Sequence, residues 1–263
     1  MSPSELSDWL VARGQHFITT SEVAELVGVD PGSVPVSLQR ARDARKIVSV
    51  TKGGWVPVPP EYRDAGAPPA IHFIDALMRH LGHPYYVGFL SAARLHGASH
   101  QVPMTLQVVT PALLRRRSIG KNRLQYIRRS ATSERATQPH NVPTGRVTIA
   151  TPATVVFDIV DAPSLAGGLG NVATVIGELL VERALDTDLL AAAASGYSNA
   201  VSQRVGHLVE HMAREAGLDL GLDALRSAVG PTSYTGLDAN VPLRGERNER
   251  WRVVINTELE HEL

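Results

Sequence analysis

The chain has 263 residues, of which 43% are hydrophobic, and it contains no cysteine. This length and apolar content suffice for a small domain and a larger one with buried cores, so wholesale disorder is excluded. Without cysteine there are no disulfides and no thiolate metal sites, which fits a reducing cytoplasm. The sequence shows no signal peptide, and no apolar run approaches the ~18 residues needed to span a bilayer. We therefore expect a cytoplasmic protein with no membrane partner.

The net charge is zero, but the charges are unevenly distributed. Residues 1–60 carry six basic and six acidic side chains, residues 111–150 carry nine basic and one acidic, and residues 151–263 carry eight basic and sixteen acidic. Screening limits phosphate attraction to ~8 Å at physiological salt, so a local cationic surface matters more than the total charge. The distribution is compatible with nucleic-acid binding.

Residues 1–60 contain, in order, the elements of a winged helix-turn-helix. Apolar spacing predicts a first helix over 4–13 closed by Gly14, a second starting at Thr20 and ending at Gly28, and a third over about 33–46. Proline inside a helix removes a hydrogen bond, so the third helix is expected to begin late, with Pro35 in its first turn. Two β-rich runs around Thr51–Gly54 then predict a hairpin, the wing.

Prolines and glycines over 57–69 predict an extended, fairly stiff linker. The predicted domains are a winged helix-turn-helix at 1–60, a linker at 61–70 and a C-terminal domain at 71–263. The fold class is mixed α/β (α+β). The C-terminal domain is expected to place strands at 104–110, 124–128, 146–150 and 251–256, and helices at 73–81, 86–96, 151–160, 166–182, 186–194, 199–216 and 219–229.

Five motifs resemble those of one family, the AbiE-type antitoxins (AbiEi family), regulators of bacterial toxin–antitoxin operons that defend against phage. The motifs are FITTSEVAELVGV with a wing ending in GGWVPVP, YYVGFLSAARLHGASHQVPMTLQVVT (85–110), TPATVVFDIV (151–160), QRVGHLVE (203–210) and LRGERNERWRVVIN (243–256). The resemblance covers nearly the whole chain, and the stretch 85–110 is its most specific part. Pro35 is a local departure that leaves the register of the third helix open.

The resemblance implies a transcriptional autorepressor whose winged helix binds double-stranded DNA at inverted repeats in its own promoter, with a dimer on the DNA as one arrangement. It also implies that the C-terminal domain counters a nucleotidyltransferase-like toxin, as in type IV systems. Antitoxins of this family often act without a stable complex, so direct binding to the toxin stays open. The alternatives are a winged-helix regulator with no toxin and, less favoured, a nuclease-related enzyme.

Candidate DNA-contacting residues lie on the third helix, away from its inward apolar stripe. Arginine pairs with guanine and glutamine with adenine through two hydrogen bonds each, which suits them to base edges. These base-edge candidates are Ser33, Ser37, Gln39 and Arg40, whereas Arg42, Arg45 and Lys52 at the helix end and wing suit phosphates. The alternative for each is an ordinary solvated surface residue.

Arg115, Arg116 and Arg117 begin a basic run that reaches position 129. They follow a predicted strand and are expected on an exposed loop, where they extend the DNA contact or bind an RNA or the toxin. The alternative is a charged strand edge that prevents aggregation.

Catalytic, metal and cofactor sites are not expected. His207 and His211 have the i, i+4 spacing of zinc ligands, but the glutamate of an HExxH motif is absent, and neither His80/His83 nor His96/His100 adds a third ligand. Asp238 and Glu249 have a spacing suggestive of a nuclease, yet Trp251 occupies the position of the required lysine. Gly167–Gly170 lacks the lysine and hydroxyl residue of a phosphate-binding loop, so we expect no cofactor and no enzyme.

Overall fold

The computed structural model describes residues 1–98, 105–130, 132–230 and 232–259. It contains the helices and strands of a mixed α/β protein, which confirms the predicted fold class. The part of the motif 85–110 that spans 99–104, including His100 and the predicted strand start at Met104, lies outside the described residues. No helix in the described ranges has the length and apolar composition of a membrane span.

Helices account for more of the described residues than strands do. The α-helices are α1 (Leu6–Ala12), α2 (Thr20–Val27), α3 (Val34–Ser37), α4 (Gln39–Asp43), α5 (Ile74–Leu81), α6 (Phe89–Leu95), α7 (Pro152–Asp161), α8 (Leu169–Val181), α9 (Thr187–Ala193), α10 (Asn199–Glu215) and α11 (Asp223–Val229). The strands are β1 (Ile18–Thr19), β2 (Ile47–Thr51), β3 (Gly54–Pro57), β4 (Tyr86–Val87), β5 (Thr105–Thr110), β6 (Arg117–Ile119), β7 (Asn122–Arg128), β8 (Thr137–Val142), β9 (Gly145–Ala150), β10 (Thr235–Gly236), β11 (Glu246–Asn248) and β12 (Val253–Ile255).

By compactness the chain divides into two units. Unit 1 comprises 1–86, 104–132 and 139–148, and unit 2 comprises 87–103, 133–138 and 149–263. The residues after the first hairpin do not run extended as predicted, because Pro60–Ala65 forms a 3₁₀ helix and Ala67 is buried. Whether 1–60 and 71–263 fold as separate domains on either side of a 61–70 linker remains a prediction.

Unit 1 begins with short helices packed on a small antiparallel sheet in the order β1-β3-β2. Its core gathers Leu6, Leu10, Val23, Leu38 and Trp55. Helix α2 starts at Thr20 and is capped by Thr19, because the Thr19 hydroxyl accepts from the Glu22 amide while the Glu22 carboxylate accepts from the Thr19 amide. Gly28 ends the helix with a left-handed backbone, as predicted.

Between residues 105 and 128 unit 1 adds the strands β5, β6 and β7, with β7 parallel to β5 and antiparallel to β6. Strands β6 and β7 form a hairpin that was not predicted from the sequence. Its two-residue turn has Gly120 in the first position with φ +56°, the conformation that favours glycine there. The apolar pattern indicates β7 but not its partner, because a three-residue strand with two polar residues has no clear alternation.

Unit 2 is mainly helical, and its centre is α7. This helix begins as predicted, with Thr151 as N-cap and Pro152 in the first position, and every side chain from Ala153 to Val160 is buried. A small sheet in the order β10-β12-β11 lies at the end of the chain, where β12 is shorter than the predicted 251–256. The predicted helix over 86–96 is partly wrong, because residues 86 and 87 form β4, in which Val87 pairs with Ile149.

Candidate nucleic-acid interface

The predicted third helix consists of two short helices, α3 and α4, joined at Leu38. Pro35 lies in the first turn of α3, as predicted, after a 3₁₀ turn over Pro31–Ser33. Val34, Leu38 and Ala41 are the inward residues, all at most 3% exposed. The inward stripe therefore continues through the junction, and the same outward face is presented by both helices.

The outward polar side chains are partly engaged with one another. The Ser37 hydroxyl donates to the Ser33 carbonyl at 2.7 Å, so its hydrogen is already used in a local bond within the helix. Gln39 donates from Nε2 to Asp43 at 2.8 Å and accepts from Arg42 at 3.3 Å. Arg40 is exposed, and no hydrogen bond or ion pair of its guanidinium occurs within the described ranges. Within the described residues, the guanidinium of Arg40 and the hydroxyl of Ser33 are therefore the predicted base-contacting groups with their donors available, whereas Ser37 and Gln39 are engaged.

Arg42 and Arg45 line one shallow groove beside α4. The groove has a volume of about 290 Å³ and is also lined by Gln39, Asp43 and Ser49. Arg45 has a left-handed backbone, φ +53°, at the point where the chain turns from α4 into β2. Its side chain is exposed, so two guanidinium groups, which suit phosphate oxygens, line this groove together with the Asp43 carboxylate.

Lys52 occupies the turn of the first hairpin, where Gly53 has φ +77°. Two contacts hold the residues at this turn. The Lys52 carbonyl lies 3.3 Å from Nε2 of His80, and the Trp55 indole donates to the Thr20 hydroxyl at 2.9 Å. The Lys52 side chain itself is exposed. Lys52 is therefore an exposed cation at the tip of a hydrogen-bonded turn, and its contact with a phosphate stays a prediction.

The β6–β7 hairpin is hydrogen-bonded to the residues of the first hairpin and those that follow it, all within unit 1. Arg117 Nη1 donates to the Val50 carbonyl at 3.0 Å, and the Lys121 amide donates to the Ala65 carbonyl at 2.8 Å. Asn122 donates to the Pro68 carbonyl at 2.9 Å and accepts from the Ala70 amide at 3.2 Å. A Cβ on Gly120 would lie 2.2 Å from the Ala65 carbonyl oxygen, so the backbones meet at a distance that only glycine permits.

This hairpin belongs to a strongly cationic segment. Residues 104–132 contain seven basic side chains and no acidic one. Arg115 and Arg116 are exposed in the loop before β6, as predicted, whereas Arg117 lies in the strand and donates to β2. Lys121 and Arg123, both exposed, were not singled out from the sequence. The signal that would have found them is Gly120-Lys121 between two short β-like runs, a glycine-first hairpin turn.

The histidines of unit 2 that were considered as metal ligands are engaged in other contacts. Nδ1 of His207 lies 3.2 Å from the Asn248 amide nitrogen, and Nε2 of His211 lies 3.3 Å from Glu215. Burial, followed by the neighbouring His211, lowers the pKa of His207 to about 4. No group of three or more potential metal-ligating side chains occurs in the described part of the chain. His100 of the considered His96/His100 pair lies outside the described residues.

The two acidic residues considered for a nuclease site, Asp238 and Glu249, also accept hydrogen bonds from neighbouring residues. Asp238 accepts from the Asn240 amide at 2.7 Å, and Glu249 accepts from the Tyr234 hydroxyl. Trp251, which occupies the position of the required lysine, is 1% exposed and donates to Glu210. Both carboxylates therefore serve contacts within this corner of unit 2.

Comparisons with known proteins match a stretch that includes the larger part of unit 2 and also the 104–132 and 139–148 segments of unit 1. Residues 86–211 match the family model described as the AbiEi antitoxin C-terminal domain. No curated protein matches the chain. The crystal structure of the RV2827C protein from Mycobacterium tuberculosis has a similar fold, with a TM-score of 0.64 at 15% identity over 95% of this chain and 89% of that chain. Residues 86–211 are therefore similar to the AbiEi antitoxin C-terminal domain, which confirms for this part of the chain the resemblance predicted from the sequence.

Proposed function

We propose that the protein is a non-enzymatic antitoxin that binds double-stranded DNA in its own promoter and represses its own operon. The observation that carries the DNA-binding half is the cationic surface of unit 1. Arg40, Arg42 and Arg45 are exposed on and just after α4, and the same compact unit contains the 104–132 segment with its seven cations and no anion. The observation that carries the antitoxin half is the AbiEi domain over 86–211.

In this proposal residues 1–60 act as a winged helix-turn-helix. Helix α2 crosses the DNA backbone, α3 and α4 enter the major groove, and Lys52 at the hairpin turn contacts a phosphate. The local geometry supports these roles, because the inward stripe of α3 and α4 is buried while Gln39 and Arg40 are exposed. One such module reads few base pairs, so specific binding requires two copies of the chain on an inverted repeat.

The 104–132 segment extends this DNA contact. Its hairpin is hydrogen-bonded to β2 and to residues 65–70, so it moves with the first hairpin rather than independently. Arg115, Arg116, Lys121 and Arg123 are exposed cations on it, and they suit a phosphate backbone that lies beyond the groove occupied by α3 and α4.

Antitoxicity is the proposed role of the AbiEi domain, and the proposed counterpart is a nucleotidyltransferase-like toxin. Asp238 and Glu249, the acids considered for a nuclease, are bonded to neighbouring side and main chains, and this supports a regulatory rather than an enzymatic mode of action. A stable complex with the toxin is not required by the proposal.

The decisive experiment is a nuclease footprint of the purified protein on its own upstream region, combined with growth rescue from the neighbouring toxin. We expect protection of an inverted repeat, with an affinity that falls steeply as salt is raised from about 50 to about 200 mM. An affinity that hardly changes with salt contradicts the phosphate contacts. Rescue without any footprint contradicts autorepression, and a footprint without rescue assigns the chain to the regulators that have no toxin.

A further inference from the structure

Val36 lies at the centre of the outward face of α3 and α4. With 3.6 residues per turn, position 36 is nearly opposite the mean direction of Val34, Leu38 and Ala41. These three are buried, whereas the Val36 side chain is 77% exposed. Gln39 and Arg40 follow it at i+3 and i+4 and therefore lie beside it on the same face.

The exposed valine contributes little to the stability of the fold. A β-branched residue lowers helix propensity, and its methyl groups gain no burial at this position. Its neighbours Ser37 and Gln39 have intramolecular hydrogen-bond partners, so the middle of the face presents an apolar side chain with the exposed guanidinium of Arg40 next to it. The exposed cations Arg42 and Arg45, on and just after α4, suit a polyanion and not an apolar protein surface.

We propose that Val36 is a specificity-determining residue that recognises the C5-methyl group of a thymine in the major groove. Thymine is the one base that presents a methyl group there, and an apolar side chain is what discriminates it. The proposal rests on the proposed function, because it requires α3 and α4 to face the major groove.

The test uses the full chain and synthetic operator duplexes in which each thymine is replaced in turn by uracil, which lacks only the methyl group. Wild-type affinity should fall about three- to fivefold at one thymine in each half-site, the effect of one methyl group leaving an apolar contact. Val36→Ala should bind the unmodified operator weaker by a similar factor and should be insensitive to uracil at that thymine. Val36→Thr, which keeps one methyl group, should retain part of the discrimination.

Val181→Ala is the matched control, since Val181 is 63% exposed but lies on α8 in unit 2. It should leave every affinity unchanged. The proposal is overturned when Val36→Ala binds the operator as the wild type does, or when the effects of Val36→Ala and of uracil on affinity are additive at all positions. It is also overturned when Val36→Ala changes only the self-association of the protein measured without DNA. A wild type that does not prefer the operator over random DNA instead overturns the proposed function itself, so the two failures are distinguishable.

Discussion

Arg117 in β6 donates a hydrogen bond to the main-chain carbonyl of Val50 in β2, sixty-seven positions earlier in the chain. All three consecutive arginines are exposed, but within the described residues it is Arg117 that has a side-chain hydrogen bond, whereas Arg115 and Arg116 lie in the preceding loop. Adjacent residues of the same type thus have different roles, and substitutions can separate them.

Replacing Arg115 and Arg116 together by alanine should weaken binding to operator and to random DNA alike. The slope of log affinity against log salt should become shallower by about 0.9 for each phosphate that is no longer neutralised. The melting temperature should not change, because both side chains are exposed. Gel shifts across a salt series and thermal unfolding measure these effects. Growth rescue by the same variant tests whether the loop also serves antitoxicity, and an unchanged salt slope would mean that the loop is only a solvated surface.

Arg117→Ala should behave differently. Loss of its bond to Val50 should lower the free energy of unfolding by about 1 kcal/mol, the usual net contribution of such a bond. Circular dichroism on heating measures this change, with Arg116→Ala as the matched control. Equal stability of the two variants would show that the Arg117–Val50 bond contributes nothing to the fold.

Arg40→Ala should reduce affinity for the operator by about 1–3 kcal/mol and affinity for random DNA much less, since its exposed guanidinium is the best placed for a base edge. Gln39→Ala should cost less than Arg40→Ala, because Gln39 is already bonded to Asp43 and Arg42. Arg244→Ala, an exposed arginine of unit 2, is the control for the loss of one charge. Operator binding by Arg40→Ala equal to that of Arg244→Ala would show that Arg40 does not read a base.

Gly206→Ala should strongly destabilise the protein, because the new Cβ would lie 2.2 Å from ring carbons of the buried Trp251. Overpacking of this kind costs typically about 1–3 kcal/mol. Gly221→Ala is the matched control, since nothing lies within 4 Å of its added Cβ and its backbone is not left-handed. The free energies of unfolding in urea should separate the two variants, and equal values would contradict the tight packing of Trp251 on α10.

His207 predicts a dependence of stability on acid pH. Burial lowers its pKa from 6.5 to about 4, so between these values the unfolded chain binds a proton that the folded chain does not. The free energy of unfolding should therefore fall as the pH falls through this window, by on the order of 2–3 kcal/mol from this residue. His207→Asn, which keeps an acceptor for Asn248, should lose less stability over the same window. Parallel pH profiles of the two proteins would contradict the assignment.

Most of the long helices and the start of α7 could be predicted from the sequence, because hydroxyl caps, proline and apolar periodicity act locally. Strand β6 was missed and β4 was taken for helix, since their two or three residues are extended only because neighbouring strands pair with them. Arg117 was grouped with Arg115 and Arg116 as a DNA contact, which stays a prediction, and its bond to Val50 was not foreseen. A long-range bond of that kind leaves no local pattern, so the different roles within the basic run could not be predicted.

The backbone of Gly120 packs closely against the backbone of residues 65 and 66, which ties the second hairpin to the residues after the first. The cations of the second hairpin are held beside the first one, although Arg117 and its partner Val50 are sixty-seven positions apart. A chimaera that exchanges only the residues before this junction between relatives would transfer the proposed base-reading helix without its hairpin of phosphate contacts. Sequence preference would then come from one parent and salt dependence from the other.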